Sequence, residues 1–219
     1  FGGKLKKLSP TDLCTASTKA AIQQAKIDPA IIDNIYVGNV CQTAADCLYL
    51  ARHVGLRSGI PIEAPALTVN RLCGSGFETL VQASKSILLG ESQICVAGGA
   101  ENMSMAPYAL RDVRQGTKFP VDLKLEDTLW SALNDCHVNM PMGLTAEKLG
   151  AQFGITREDC DAFALRSQHA WQRAHDQGHF SDELVPLELP GRKGPELVAV
   201  DEFPRGGQAT AEALAKLAR

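Results

Sequence analysis

The chain has little aromatic content, with two tryptophans and three tyrosines in 219 residues, and no strong charge of either sign, its formal net charge being −3. No basic stripe interleaved with aromatics occurs, so the electrostatic footprint of a nucleic-acid binder is missing. No apolar run approaches the ~20 residues that span a bilayer, and a soluble protein is expected. Cys-x-x-Cys is absent and no His or Cys ligands recur at usable spacing, which argues against a zinc or other metal site. No internal repeat or low-complexity tract is visible. The first residue is Phe1 rather than Met, so the natural start, with any signal or transit peptide, is expected to lie outside this sequence.

What is present begins with seven cysteines, at 14, 41, 47, 73, 95, 136 and 160. Their odd number, and the place of several inside apolar segments, fit a reducing compartment where most serve as small buried hydrophobes. An apolar content of 45% is enough for a sizeable core.

Ser9-Pro10-Thr11-Asp12 marks a helix start, with a capping serine and an acid three residues on. That helix is predicted to run to about Lys26 and stop before Asp28-Pro29. IYVGNV (35–40) is a strand, DCLYLARHVG (46–55) a helix closed by Gly55, and APALTVNRL (64–72) the next strand. In the helix that follows, Phe77, Leu80, Val81, Ser84, Ile87 and Leu88 share one face and Gly90 supplies the stop. ICVAGGA (94–100) reads as a strand covered on both faces. This alternation predicts an α/β layer with largely parallel strands. After about Ser104 the texture changes, and 105–141 shows no clear period. A helix near 145–153 follows, then one from a capping-box-like Thr156-Arg157-Glu158-Asp159 that carries Phe163, Ala164, Ala170, Trp171 and Ala174 on one stripe to Gly178. Residues 181–205 read as extended, with turns at Pro190-Gly191 and Lys193-Gly194-Pro195, and 210–219 as a short alanine-rich helix. Residues 1–104 therefore read as part of a core layer and 105–219 as an excursion over it.

The stretch TVNRLCGSGFETLVQASKSILLG (68–90) places Cys73 at the corner between strand and helix. Unpaired amides and the positive end of the helix dipole there favour a thiolate over a thiol. Gly74 and Gly76 allow a tight corner and close approach of a substrate, and the Cys73 N–H can donate to an oxyanion beside the sulfur. This is a nucleophile elbow built on sulfur; Gly-x-Ser-x-Gly around Ser75 would require glycine at 73. Two other readings stay open on spacing alone: a buried small residue beside turn glycines, and a phosphate-cradling turn, whose last position is Thr79 rather than glycine.

NRLCGSGFETLV resembles the acyl-cysteine segment of thiolases, and AGGAENMSMAPY (97–108) their Gly-Gly-x-Glu-x-Met-Ser signature. The likeness continues through LRDVRQGTKF, LEDTLWSALND, MGLTAEKLG, ITREDCDAFALRSQHAW and VDEFPRGGQAT, covering nearly the whole chain. It implies a layered α/β fold, αβαβα in the full family. Residues 1–104 would be a partial N-terminal core without its first strand, and 105–219 a partial loop or lid domain over the coenzyme A site. It also implies an acyltransferase that cleaves 3-ketoacyl-CoA with free CoA, or condenses in reverse, through an acyl group on Cys73. Coenzyme A and acyl-CoA thioesters would be substrates, with no cofactor. Nucleic acid and membrane spans are not expected, and homodimers or homotetramers are.

By the same resemblance Arg205, Thr210 and Met142 are the candidate coenzyme A contacts. Arg205 suits phosphate, although RGGQAT holds one residue more than the family's Arg-x-x-Thr-Thr. Met142 would lie beside the acyl and pantetheine channel, and Pro141 before it favours the broad 3-ketoacyl type over the short-chain type. Glu101 and Asn102 are expected to brace rather than react, and Arg192 and Lys193 to be ordinary loop charges. The family's Gly-His-Pro, Asn-Glu-Ala-Phe-like and Cys-x-Gly motifs do not occur, so His53, His137, His169, His175 and His179 read as surface or helix-face residues and Cys95 as core. The sequence thus looks like the first half of a thiolase. Its alternative role is an incomplete protein acting by CoA binding or subunit interaction. The mitochondrial matrix is the expected location, with a bacterial cytoplasm or a peroxisome as alternatives.

Overall fold

The computed structural model describes residues 1–191 and 194–217, so Arg192 and Lys193 lie outside the described residues. The chain divides into two compact units, Phe1–Ala132 and Leu133–Arg219.

In the first unit, helix α1 (Pro10–Ala25) starts at a full capping box. The Ser9 hydroxyl accepts from the Asp12 N–H, and the Asp12 carboxylate accepts from the Ser9 N–H, each at 3.1 Å. Strand β1 (Asn34–Gly38) leads to helix α2 (Leu50–Arg57), strand β2 (Ala66–Val69), helix α3 (Ser75–Leu88) and strand β3 (Cys95–Gly99). The sheet order is β2-β1-β3 and both pairings are parallel, with Ile35 opposite Ala66 and Asn34 opposite Cys95. β1 is the centre, and its alternation separates two faces. Ile35 and Val37 join Cys14, Ile22, Leu50 and Val54 in the core beneath α1 and α2. Tyr36 points the other way, its hydroxyl 2.6 Å from Ser86 Oγ on α3. Burying each large aliphatic of that core contributes roughly 1.5–3 kcal/mol before entropy is counted.

Two expectations, for Gly55 and for β3, need correcting here, and the placing of α3 is a further finding. Gly55 does not end α2, which runs on to Arg57 with the left-handed turn at Gly59. Gly55 is buried against β1, where a Cβ would meet Ile35 Cγ2 at 3.4 Å, an ordinary contact distance. The α3 stripe does not face the core: Phe77 is 74% exposed, Leu80 54% and Leu88 84%. The buried face is Ser75, Glu78, Thr79, Ala83 and Ser86, because the helix lies too close to the sheet for large side chains between them. β3 is an edge strand of the β2-β1-β3 sheet, so it is only half-buried rather than covered on both sides.

The first unit ends with an antiparallel pair, β4 (Tyr108–Leu110) with β5 (Leu125–Asp127), and helix α4 (Thr128–Leu133) lies at the junction. The second unit holds the short pair β6 (Asn134–Asp135) and β7 (Met140–Pro141), then helix α5 (Met142–Phe153), stopped by Gly154 at φ +65°. Helix α6 (Arg157–Asp176) has a second capping box, Thr156 with Asp159. On its stripe Trp171 stacks on His175 at 4.9 Å and on Phe180 at 6.5 Å, whereas Phe163 is exposed under the Arg166 guanidinium. A hairpin, β8 (Leu187–Gly191) with β9 (Gly194–Val198), and the short helix α7 (Ala211–Ala215) complete it. Among the described residues no helix is long and apolar enough to cross a membrane.

Candidate active site at the strand–helix corner

Between the end of β2 and the start of α3 the backbone turns through residues 70–74, and Cys73 sits on that turn. The left-handed residue is Leu72, at φ +50°, and not a glycine as the sequence led one to expect. Gly74 has an ordinary φ of −89°. The Asn70 carboxamide makes the turn tolerable, its Oδ1 accepting from the Leu72 N–H at 3.0 Å. The buried Ser75 hydroxyl ties the loop ends, accepting from the Arg71 N–H at 2.9 Å and donating to the Leu72 carbonyl at 2.6 Å.

Glycine is required elsewhere. A Cβ on Gly38, at the end of β1, would lie 2.8 Å from the Ser75 carbonyl carbon and 2.9 Å from the Gly76 nitrogen. One on Gly99, at the end of β3, would lie 3.3 Å from the Gly38 oxygen. The first turn of α3 therefore sits directly on the tips of two strands. A Cβ on Gly76 would have no atom of the described residues within 4 Å. The N–H groups of Gly76 and Phe77 have no acceptor among the described residues.

Cys73 is exposed, so it is not the hidden thiol of the structural reading. Only Cys14 and Cys47 of the seven are buried, which corrects the expectation that most would be. Burial pushes the Cys14, Cys41, Cys47 and Cys95 thiols up, and the Glu101 carboxylate adds to the effect at Cys41 and Cys47. Each shift is away from the thiolate that a nucleophile needs.

The signature after β3 does brace. Glu101 Oε1 accepts from the Asn39 side chain at 3.1 Å and from the Val40 N–H, and both its oxygens accept from the Cys41 N–H at 3.2 Å. Asn102 is buried and donates to the Leu5 and Leu8 carbonyls. Neither presents a free group beside the sulfur. The five histidines have local roles: His53 stacks on Tyr49, His175 on Trp171, His169 meets the Ala209 carbonyl, His179 meets Gln177, and the His137 N–H donates to Asp135.

The remaining candidates belong to the second unit. Arg205 and Thr210 share one loop, held on α6 where Gln168 Oε1 accepts from the Arg205 N–H at 2.7 Å and from the Gly206 N–H at 3.1 Å. The Arg205 side chain is exposed, while the Thr210 hydroxyl caps α7 by accepting from the Ala213 N–H. Met142 is the first residue of α5 and is 46% exposed. Sequence reasoning missed the Ser75 tie and an ion pair from Arg71 to Glu78. Its available signal was a lone carboxylate on a helix face otherwise made of small residues.

The family described as "Thiolase, N-terminal domain" matches residues 1–219. The mitochondrial 3-ketoacyl-CoA thiolase of Bos taurus is 50% identical over 217 residues, which is 99% of this chain and 54% of that protein. The crystal structure of the human mitochondrial 3-ketoacyl-CoA thiolase superimposes with a TM-score of 0.96 at 49% identity, covering 99% of this chain and 55% of that one. The same human enzyme in complex with CoA gives 0.94 at 48% identity, covering 99% and 54%. The chain belongs to the thiolase family, and it spans about half the length of the relatives it matches.

Proposed function

We propose that the chain carries the nucleophile of a thiolase-type acyltransferase acting on 3-ketoacyl-CoA. The supporting observation is Cys73, an exposed thiol on a tied corner at the N-terminal end of α3, within a chain alike to 3-ketoacyl-CoA thiolases over nearly its whole length. In the proposed reaction the Cys73 sulfur attacks the 3-keto carbon. The bond between C2 and C3 breaks, and its electron pair leaves with acetyl-CoA as an enolate that takes up a proton. CoA thiolate then attacks the acyl-cysteine, releasing an acyl-CoA two carbons shorter and the free Cys73 sulfur. Covalent capture divides one difficult cleavage into two easier steps. Free amides at the first turn of α3 suit the oxyanion that forms at each attack.

Arg205, Thr210 and Met142 are proposed as contacts to coenzyme A, with the Arg205 guanidinium toward phosphate. The mitochondrial matrix is the proposed location, and a homodimer or homotetramer the proposed assembly, both by likeness to the family. A second reading, a protein acting by CoA binding or subunit interaction without turnover, is favoured by the solvent-facing apolar stripe of α3. Intact mass spectrometry after exposure to an acyl-CoA decides between them. The first reading expects one acyl adduct, mapped to Cys73 and lost in Cys73→Ser. Label at another cysteine, or none, rejects the nucleophile assignment.

A further inference from the structure

The face of α3 that meets the sheet is built of small uncharged residues except at Glu78. The Glu78 side chain is 11% exposed, and both of its oxygens are engaged. Oε2 pairs closely with Arg71 Nη1, and Oε1 accepts from the Gln82 amide at 2.6 Å. A nearly buried carboxylate must be partnered or it is costly. Its partners hold it ionised: the Arg71 hydrogen bond, then that of Gln82, keep the carboxyl below its usual range. Arg71 itself is 71% exposed, so the pair adds little to stability. Its geometry is the informative part. Ordinary helix-surface pairs link residues three or four apart along one helix. This one reaches back over seven residues, past Cys73, to the far side of the corner.

The loop is therefore fixed twice at Arg71, by Ser75 on the backbone and by Glu78 through the Arg71 side chain, and Cys73 lies inside both closed loops. We propose that Glu78 is a positioning residue for acyl transfer at Cys73, acting through Arg71 to hold residues 71–75 where the sulfur meets the thioester carbonyl. This rests on the reading of Cys73 as the nucleophile. An electrostatic account makes the opposite prediction: removing a carboxylate near the α3 N-terminus would release Arg71 and raise the reactivity of the sulfur.

The test compares the parent protein with Glu78→Gln, with Arg71→Gln, which breaks the same pair from its exposed end should the first variant not fold, and with the charge swap Arg71→Glu plus Glu78→Arg. Three rates are read: acylation of Cys73 by acetyl-CoA, its alkylation by iodoacetamide with exposed Cys160 as internal reference, and hydrogen exchange of the Arg71, Gly74 and Ser75 amides. Breaking the pair is expected to slow acylation about tenfold to a hundredfold, as misplacement of a reacting group does. Alkylation, which needs no alignment, is expected to stay within about twofold, local exchange to quicken about tenfold, and the swap to recover most of the loss. Acylation that is unchanged, alkylation that rises, or no recovery in a folded swap overturns the proposal. Should the parent itself take no acyl group, the nucleophile reading fails, and unchanged amide exchange in the variants then overturns the tie separately.

Discussion

Ser75 does at the corner what no glycine there does. Its hydroxyl serves one amide and one carbonyl from a buried position, so Ser75→Ala leaves both without that partner. The Leu72 carbonyl keeps the Ser75 N–H at 3.0 Å, so the loss is roughly 0.5–1.5 kcal/mol. The expected outcome is a lower melting temperature together with slower acylation at Cys73, measured by calorimetry and by intact mass. Leu72 shows why this eluded sequence reasoning. A left-handed leucine has no signature of its own, whereas two glycines beside a cysteine suggest a turn that only glycine can make. The identity of the candidate nucleophile was legible from its place between a strand and a helix; the devices that hold it were not. They depend on which hydroxyl and which carboxylate reach across the turn.

At the level of helices and strands, the capped starts of α1 and α6 were readable because a capping box is a contact between neighbours in sequence. The burial of α3 was not, because it depends on how near the helix axis comes to the sheet, and Gly38 and Gly99 set that distance. Gly38→Ala is expected to push the first turn of α3 off the strand tips, costing about 1–3 kcal/mol as overpacking does. Denaturant titration and the acylation rate of Cys73 should both register it. The β4–β5 pair makes a pH-dependent prediction. Arg111 donates to both oxygens of Glu126, holding that carboxyl down at about 2 against its ordinary 4.5. A depressed carboxyl adds stability that is full above its unfolded value and vanishes as pH falls through the folded one. Protection of the β4–β5 amides should thus decline between about 4.5 and about 2, and Glu126→Gln should remove that dependence.

For the molecule as a whole, the stripe of Phe77, Leu80, Ile87 and Leu88 leaves a large apolar surface in water. The 219-residue chain by itself is expected to bind a fluorescent apolar dye, to have low solubility and to show no thiolysis. Leu80→Lys with Leu88→Glu should improve solubility without moving the acylation rate of Cys73. Dye binding that persists in this double variant would place the exposed apolar surface elsewhere. Detectable thiolysis by the unaltered chain would show that this half of the family length suffices for turnover.

Cys14, on the buried face of α1, and Cys47, just before α2, have 4% and 0% of their surface accessible, and neither is locked in a disulfide. Each is a built-in gauge of breathing motions: a maleimide can reach it only while the interior is transiently open. Counting labelled molecules against time would therefore yield the opening equilibrium of the first unit under wholly native conditions, without heat or urea.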